Sequence, residues 1–218
     1  MKNIFFGKTR QIFLANGAAL GWIAIIFQLY LIIVNRTASV PETITRFFGY
    51  FTVLTNILVA LCFTLLLLKP DSGWGRFFAR PATLTALTVY IGVVGFIYNV
   101  ILRFLWRPQG LQFVVDELLH SVIPVLFILY WFLFVPKKTL KWKNILSWMI
   151  YPAVYCIYSL VRGGIGGFYP YPFIDVGILG YNKVLFNVAG MIIVFLLLSI
   201  VLVGIGKMTK RPHSNNKL

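Results

Sequence analysis

Six long apolar segments run through this chain of 218 residues and constrain its fold more than any other feature. About 17 to 25 apolar residues suffice to cross a bilayer as a helix. Segments of this length, with little charge inside them, lie at about 12–34, 48–68, 83–105, 116–135, 145–162 and 184–206. The sequence therefore predicts an all-α, polytopic integral membrane protein with six transmembrane helices. Residues 1–206 form one transmembrane domain in this interpretation, and residues 207–218 form a flexible basic tail.

The positive charges of the chain are unevenly distributed along it. The net charge is +15, and 14 of the 20 lysines and arginines fall at the N-terminus, in the segments 69–80 and 137–143, and in the C-terminal tail. Short loops rich in lysine and arginine usually stay in the cytoplasm. We therefore predict a plasma-membrane protein with both termini in the cytoplasm. The charge then reflects topology and attraction to anionic lipid, and nucleic acid is not an expected partner.

Polar residues inside the spans gather toward the predicted outer leaflet. Several are spaced i, i+3 or i+4, so they share one face of their helix. Taken singly, such groups serve as interhelical hydrogen bonds or interface anchors. Their convergence from several helices predicts a polar cavity instead, because ionisable groups in a membrane usually pair or line a wet space. The candidates are Thr52, Thr55, Asn56, Asn99, Arg103, Asp116, His120, Tyr155, Tyr158, Ser159 and Arg162, with Asp175 in the following loop.

His120 suggests a specific chemistry for this cavity. Imidazole exchanges a proton near neutral pH, and Asp116, one turn earlier, is placed to hold the second ring nitrogen. A threonine hydroxyl near such a base can attack an ester carbonyl while nearby donors hold the oxyanion. Thr52 and Thr55 are both candidates for the nucleophile. Neither the cysteines nor the histidines have the spacing of a zinc or haem site, so we expect no metal and no cofactor.

Several short motifs resemble the androgen-induced-gene family, which includes the androgen-dependent TFPI-regulating protein, and identify the chain as similar to its bacterial branch. They are Phe51-Thr52-Val53-Leu54-Thr55-Asn56, His120 with Pro124, Arg162-Gly163, and Tyr169-Pro170-Tyr171-Pro172-Phe173-Ile174-Asp175. The resemblance implies a six-helix membrane hydrolase that cleaves fatty acid esters of hydroxy fatty acids. It implies that Thr52 is the nucleophile and His120 the base, and Thr55 supports a rival register.

The leading hypothesis is a membrane-embedded lipid-ester hydrolase whose acyl substrate enters from the outer leaflet. Asn56 is predicted to be an oxyanion donor, and Arg162 or Arg103 to bind an anionic lipid group. We expect the loop 163–181 to form a lid over the cavity. Other substrate contacts are predicted at Asn99, Tyr155, Tyr158, Ser159 and Asp175. The alternative is a non-catalytic protein that uses the same cavity to bind, sense or transport a lipid or small molecule.

Overall fold

Six helices of the chain are long and apolar enough to cross a membrane. The computed structural model describes residues 2–105 and 107–208, with side chains from residue 7 onward, and the regular structure in these ranges is helical. We call the six helices spans one to six: Gly7–Val34, Phe51–Leu68, Pro81–Leu105, Gly110–Phe134, Asn144–Gly166 and Val176–Met208. The prediction of six spans is confirmed. The last helix reaches Met208, and the remainder of the predicted tail lies outside the described residues.

The spans are assembled from shorter elements. The α-helices are α1 Lys2–Val34, α2 Val40–Phe47, α3 Phe51–Leu68, α4 Gly73–Phe78, α5 Pro81–Ile97, α6 Arg103–Leu105, α7 Gly110–Glu117, α8 Ile123–Phe134, α9 Asn144–Trp148, α10 Ile150–Gly166 and α11 Val176–Met208. One π-helical turn, Tyr98–Leu102, joins α5 to α6, and another, Leu118–Val122, joins α7 to α8. Short 3₁₀ helices occupy Lys137–Thr139 and Pro172–Ile174. A bend interrupts α11 at Gly180, where φ is 74°, a conformation that glycine adopts without strain.

Spans four and six show the largest differences from the predicted starts. Span four starts at Gly110 rather than at 116, and span six at Val176 rather than at 184. The acidic pair Asp116 and Glu117 resembles a helix start, yet both residues lie inside span four. The Asp116 carboxylate accepts a hydrogen bond from Gln112, and Glu117 forms an ion pair with Arg103 of α6, so the charges are tolerated within the helix.

Close contacts between small residues bring the central spans together. Gly21 of span one faces span two so closely that a Cβ atom there would lie 2.9 Å from the Ala60 Cβ. Gly95 of span three lies against span four, where an added Cβ would be 3.1 Å from both the His120 carbonyl oxygen and the Pro124 Cβ. Small residues commonly allow such approach between membrane helices. Gly95 therefore allows span three to lie directly beside the backbone that carries His120.

Pro124 shapes the backbone of span four at this contact. Proline has no N–H, so the carbonyl of His120, four residues earlier, loses its usual helical donor. The Asn99 side chain on span three compensates, because its Nδ2 donates to that carbonyl oxygen at 3.3 Å. The π-helical turn Leu118–Val122 lies directly before the proline. Such single turns occur frequently at functional sites.

Span five is the least buried of the six. Most of its side chains are exposed or partly exposed, whereas span three is the most buried. Hydroxyl groups of span five make some of its polar contacts with the rest of the bundle. One example is the hydrogen bond from the Tyr155 hydroxyl to the Gly49 carbonyl oxygen at 2.9 Å. The loose packing of span five leaves space between it and spans two, three and six. We call the end of the bundle that carries His120 and Tyr171 the site end.

Candidate functional site

Two cavities meet at the site end of the bundle. The polar cavity, of about 840 Å³, is bounded by spans one to four and by the loop before span six, and Asp116 and His120 line it. The apolar cavity, of about 370 Å³, lies between spans two, three, five and six, with Phe195 and Met191 in its wall. Thr52 borders both cavities. Leu102 and Tyr171 are the other residues that line both.

The structure distinguishes the two candidate threonines. Thr52 keeps 8% of its surface exposed, and its Oγ1 lies 3.2 Å from the Tyr171 hydroxyl. Thr55 is fully buried, borders neither cavity, and has its Oγ1 3.3 Å from the Tyr151 hydroxyl. A nucleophile needs access to the substrate carbonyl. The geometry therefore favours Thr52 over Thr55.

The backbone of Thr52 also faces the junction of the cavities. Thr52 lies in the first turn of α3, where amide groups have no partner within the helix. Its N–H donates to the Tyr171 hydroxyl oxygen at 3.1 Å. Because that oxygen accepts from the backbone, its own proton is free to point to Thr52 Oγ1. The hydroxyl of Tyr171, in the loop before span six, thus makes hydrogen bonds with both the backbone N–H and the side chain of Thr52.

Tyr171 is a neutral hydrogen-bonding group under ordinary conditions. It lies between spans five and six, and its ring stacks on Phe173 with centroids 5.2 Å apart. Burial raises the pKa of its hydroxyl to about 12, and the hydrogen bond with the Thr52 side chain opposes the shift. Tyr171 therefore remains protonated across the neutral range and can both donate and accept.

His120 is oriented by the backbone and by an aromatic ring. Its Nδ1 lies 2.9 Å from the carbonyl oxygen of Asp116. A carbonyl only accepts, so Nδ1 carries a proton and, in the neutral ring, Nε2 keeps the lone pair. The Tyr98 ring stacks on the imidazole with centroids 4.0 Å apart and planes 14° apart. Nε2 is then the nitrogen available to act as a base.

The orienting group of His120 differs from the one expected. The sequence suggested the Asp116 carboxylate for this ring nitrogen, whereas the contact is with the Asp116 peptide oxygen. The carboxylate instead accepts from Gln112 Nε2 at 2.9 Å, and Gln112 also donates to Gln28 on span one at 3.0 Å. The i, i+4 spacing placed Asp116 beside the histidine correctly. It did not specify which oxygen would make the bond.

Arg103 supports the histidine through Tyr98. Its guanidinium lies 5.3 Å from the Tyr98 ring centroid, within the range of a cation–π contact. Arg103 also forms an ion pair with Glu117 at 2.5 Å and donates to Ser121 Oγ at 3.2 Å. Arg103 was predicted to bind an anionic lipid group, but its charge is matched here by Glu117. Tyr98 was not singled out from the sequence, because aromatic residues are common in membrane helices.

Asn56 does not fit the predicted role of oxyanion donor. Its side chain is fully buried, and its Nδ2 donates to the Thr52 carbonyl at 2.9 Å and to the Leu119 carbonyl at 3.2 Å. Both donors are therefore used, and Asn56 borders neither cavity. Its effect is structural: it joins the turn that carries Thr52 to the residue before His120. Asn99 makes similar bonds between spans three and four, donating to Gly95, His120 and Ser121.

Of the remaining predicted contacts, one lines either of the two cavities. Asp175 accepts from the Ile178 N–H at 3.1 Å and so caps the start of α11. Ser159 is buried and borders neither cavity. Tyr155 is the exception among these residues, because it lines the apolar cavity while its hydroxyl bonds to Gly49. Tyr158 borders a separate surface cavity of about 580 Å³ near span five.

Arg162 belongs to an ion-pair cluster at that surface cavity. Its guanidinium lies 3.3 Å from Glu42, which also pairs with Arg46 at 2.8 Å. Both arginines lie over the Phe168 ring, at 5.3 Å for Arg162 and 4.5 Å for Arg46. The hydrogen bond from Arg46 lowers the pKa of Glu42 below its usual value. The cluster connects α2 to the end of span five, so Arg162 is not the free cation that the sequence suggested.

Thr52, Asp116 and His120 therefore line one cavity, but the candidate nucleophile and base are not hydrogen-bonded to each other. Within the described ranges, the Thr52 hydroxyl bonds to Tyr171, and no hydrogen bond joins it to His120. Catalytic hydrogen bonds are often absent before substrate binds. The same ranges contain no group of three potential metal ligands.

The comparisons give no family. No protein-family model, no curated protein and no solved structure matches this chain. The two cavities and the residues at their junction are therefore what indicates a function.

Proposed function

We propose that the chain is an intramembrane lipid-ester hydrolase, with Thr52 as nucleophile and His120 as general base. The observation that carries this proposal is the position of Thr52, which lines both the apolar cavity and the polar cavity that contains His120. An ester of a fatty acid likewise has an apolar part, the acyl chain, next to a polar part, the ester carbonyl. Fatty acid esters of hydroxy fatty acids are the substrate class that the family resemblance suggests.

The proposed reaction begins when the acyl chain occupies the apolar cavity and its carbonyl reaches Thr52. The Thr52 hydroxyl turns from Tyr171 toward His120, and Nε2 takes its proton as Oγ1 bonds to the carbonyl carbon. The backbone N–H of Thr52, now free of Tyr171, donates to the oxyanion. The bond to the leaving alcohol then breaks, and the alcohol takes the proton from His120.

Hydrolysis of the acyl-enzyme completes the cycle. A water molecule from the polar cavity gives a proton to His120 Nε2 and attacks the acyl carbon. The fatty acid leaves, and Thr52 Oγ1 recovers its proton. No cofactor is needed for these steps. In this proposal the site end faces the outer leaflet of a plasma membrane, and both termini are cytoplasmic, as the distribution of lysine and arginine favours.

A second candidate is a protein that binds or senses the same lipid without cleaving it. One observation favours this alternative, namely that the Thr52 hydroxyl is bonded to Tyr171 and not to His120. Binding in the two cavities needs no reaction at Thr52. The two candidates therefore differ in covalent chemistry rather than in ligand.

A covalent probe separates them. We expect a fluorophosphonate to label purified wild-type protein, and Thr55→Ala to label equally, because Thr55 does not reach a cavity. Thr52→Ala should abolish labelling, and His120→Ala should slow it by about 10² to 10⁴-fold, the usual contribution of a general base. For hydrolysis of a panel of fatty acyl esters, we expect the wild type and the three variants to rank in the same order as for labelling. If Thr52→Ala labels like wild type, or wild type neither labels nor cleaves any ester, the hydrolase proposal is wrong.

A further inference from the structure

The side chains that line the polar cavity include more positive than negative charges. Arg36, Arg46 and Arg107 line it, whereas Asp116 is the acidic residue in its wall. Arg46 is paired with Glu42. Neither Arg36 nor Arg107 belongs to an ion pair within the described ranges, so the wall of this cavity contains two guanidinium groups that are not paired with a carboxylate there.

The two arginines flank the cavity from different spans. Arg36 follows the end of span one at Val34, and Arg107 precedes the start of span four at Gly110. Both side chains are exposed, whereas His120 is partly buried and Thr52 is buried. The two arginines are therefore the more solvent-exposed part of the wall, and Thr52 is the more buried part. Guanidinium groups bind carboxylate and phosphate through paired, charge-assisted hydrogen bonds.

The gradient of polarity continues inward from the arginines. Gln112 and Gln28, which bond to each other, form part of the cavity wall between spans four and one. Beyond Thr52, the apolar cavity has no charged residue among those that line it in the described part of the chain. The two cavities together thus fit a ligand with an acyl chain at one end and an anionic group at the other.

We propose that Arg36 and Arg107 bind the anionic group, a carboxylate or phosphate, of an amphiphile whose acyl chain occupies the apolar cavity. For the reaction, this rests on the proposed function, since the anionic group would belong to the alcohol that leaves the acyl carbon when Thr52 is acylated. Binding itself requires no reaction. The role that the sequence predicts for Arg103 or Arg162 is thus assigned to Arg36 and Arg107. Arg103 and Arg162 are instead paired with Glu117 and Glu42.

Ligands of equal chain length but different head group test this inference. We would titrate purified protein in neutral detergent with oleate, monooleyl phosphate and oleyl alcohol at equal mole fractions, using calorimetry. Wild type should bind the two anionic ligands at least about tenfold more tightly than the alcohol, as expected for two interfacial arginines. Arg36→Gln with Arg107→Gln should abolish this preference, and each single variant should weaken it. Arg80→Gln removes one charge near the opposite end and should leave it unchanged.

Further arms identify the source of the anion and separate the two proposals. Acetate and inorganic phosphate alone should not compete, and competition as strong as that of the amphiphiles would overturn the inference in favour of a free anion. Equal affinity for oleate and oleyl alcohol, or a preference that survives the double substitution, would also overturn it. The preference should persist in Thr52→Ala, which cannot react. If wild type prefers anionic ligands but hydrolyses no ester, only the hydrolase proposal is wrong. If wild type hydrolyses esters but shows no preference for anionic ligands, only the proposed anion site is wrong.

Discussion

His120 is held by contacts that fix both its tautomer and the plane of its ring. The Asp116 carbonyl accepts from Nδ1, and the Tyr98 ring covers one face of the imidazole. A base that must take a proton from Thr52 needs an unprotonated nitrogen, and this arrangement reserves Nε2 for that purpose. The histidine is thus prepared for the proposed reaction before any substrate enters.

The tautomer is directly measurable. In protein with ¹⁵N-labelled histidine and the substitution His213→Asn, His120 is the one remaining histidine of the chain. We expect ¹⁵N spectra of the neutral ring to show a protonated Nδ1 and an unprotonated Nε2, because the carbonyl oxygen can only accept. Tyr98→Phe, which keeps the stacked ring, should give the same tautomer. A proton on Nε2 would contradict the role of His120 as base toward Thr52.

Spacing in the sequence predicted neighbours better than it predicted partners. Asp116 and His120 were expected on one face, and both line the polar cavity, yet the bond uses the peptide oxygen. Asn56 was expected near Thr52 and is there, but its donors are occupied by carbonyls. Helical periodicity gives the direction in which a side chain points around the axis of its own helix. The rotation of the neighbouring helix, which decides the partner, is set by packing across the interface.

Among the elements, the segment before span six connects the cavities most directly. Its Tyr171 hydroxyl contacts the side chain and N–H of Thr52, while its Tyr169 ring packs where Gly163 leaves room. The proline and glycine content suggested a lid at this position. The sequence could not indicate that the closing contact would fall on the candidate nucleophile itself, because such a long-range pair has no periodic signal.

Removing the Tyr171 hydroxyl should therefore activate the site. Tyr171→Phe keeps the ring but removes both hydrogen bonds between its hydroxyl and Thr52. Reaction at Thr52 then no longer has to break these bonds, which lowers the activation free energy by about 1–2 kcal/mol. We expect fluorophosphonate labelling to become about five to thirty times faster. Tyr169→Phe, in the same loop, should change little, since its ring provides the packing against Gly163. Slower labelling of Tyr171→Phe would instead assign Tyr171 a positive role in holding the nucleophile.

Irregular turns distinguish spans three and four from the other elements. The π-helical turns contain Tyr98 and His120, the two rings that stack on each other. Apolar length was sufficient to predict that these spans exist. It could not predict the turns, which depend on local backbone bonding around Pro124 and on the contact of Gly95 with span four.

At the scale of the whole molecule, the even number of spans places both chain ends on one side if all six helices cross the membrane. The site end then lies on the other side. Its connecting segments contain few lysines and arginines compared with the segments 69–80 and 137–143. Basic short loops are retained in the cytoplasm. If this charge distribution orients the bundle as predicted, the proposed lipid substrate reaches Thr52 from the outer leaflet.

Accessibility of single cysteines tests this orientation. In a background with Cys62→Ala and Cys156→Ala, Gly166→Cys lies at the exposed end of span five, where a side chain meets no heavy atom within 4 Å. Asp71→Cys, at an exposed position between spans two and three, is its counterpart at the opposite end. A membrane-impermeant maleimide added to intact cells should label position 166 and should label position 71 only after lysis. The reverse pattern would place the cavities on the cytoplasmic side, and a substrate drawn from the outer leaflet would then be wrong even if Thr52 proved to be the nucleophile.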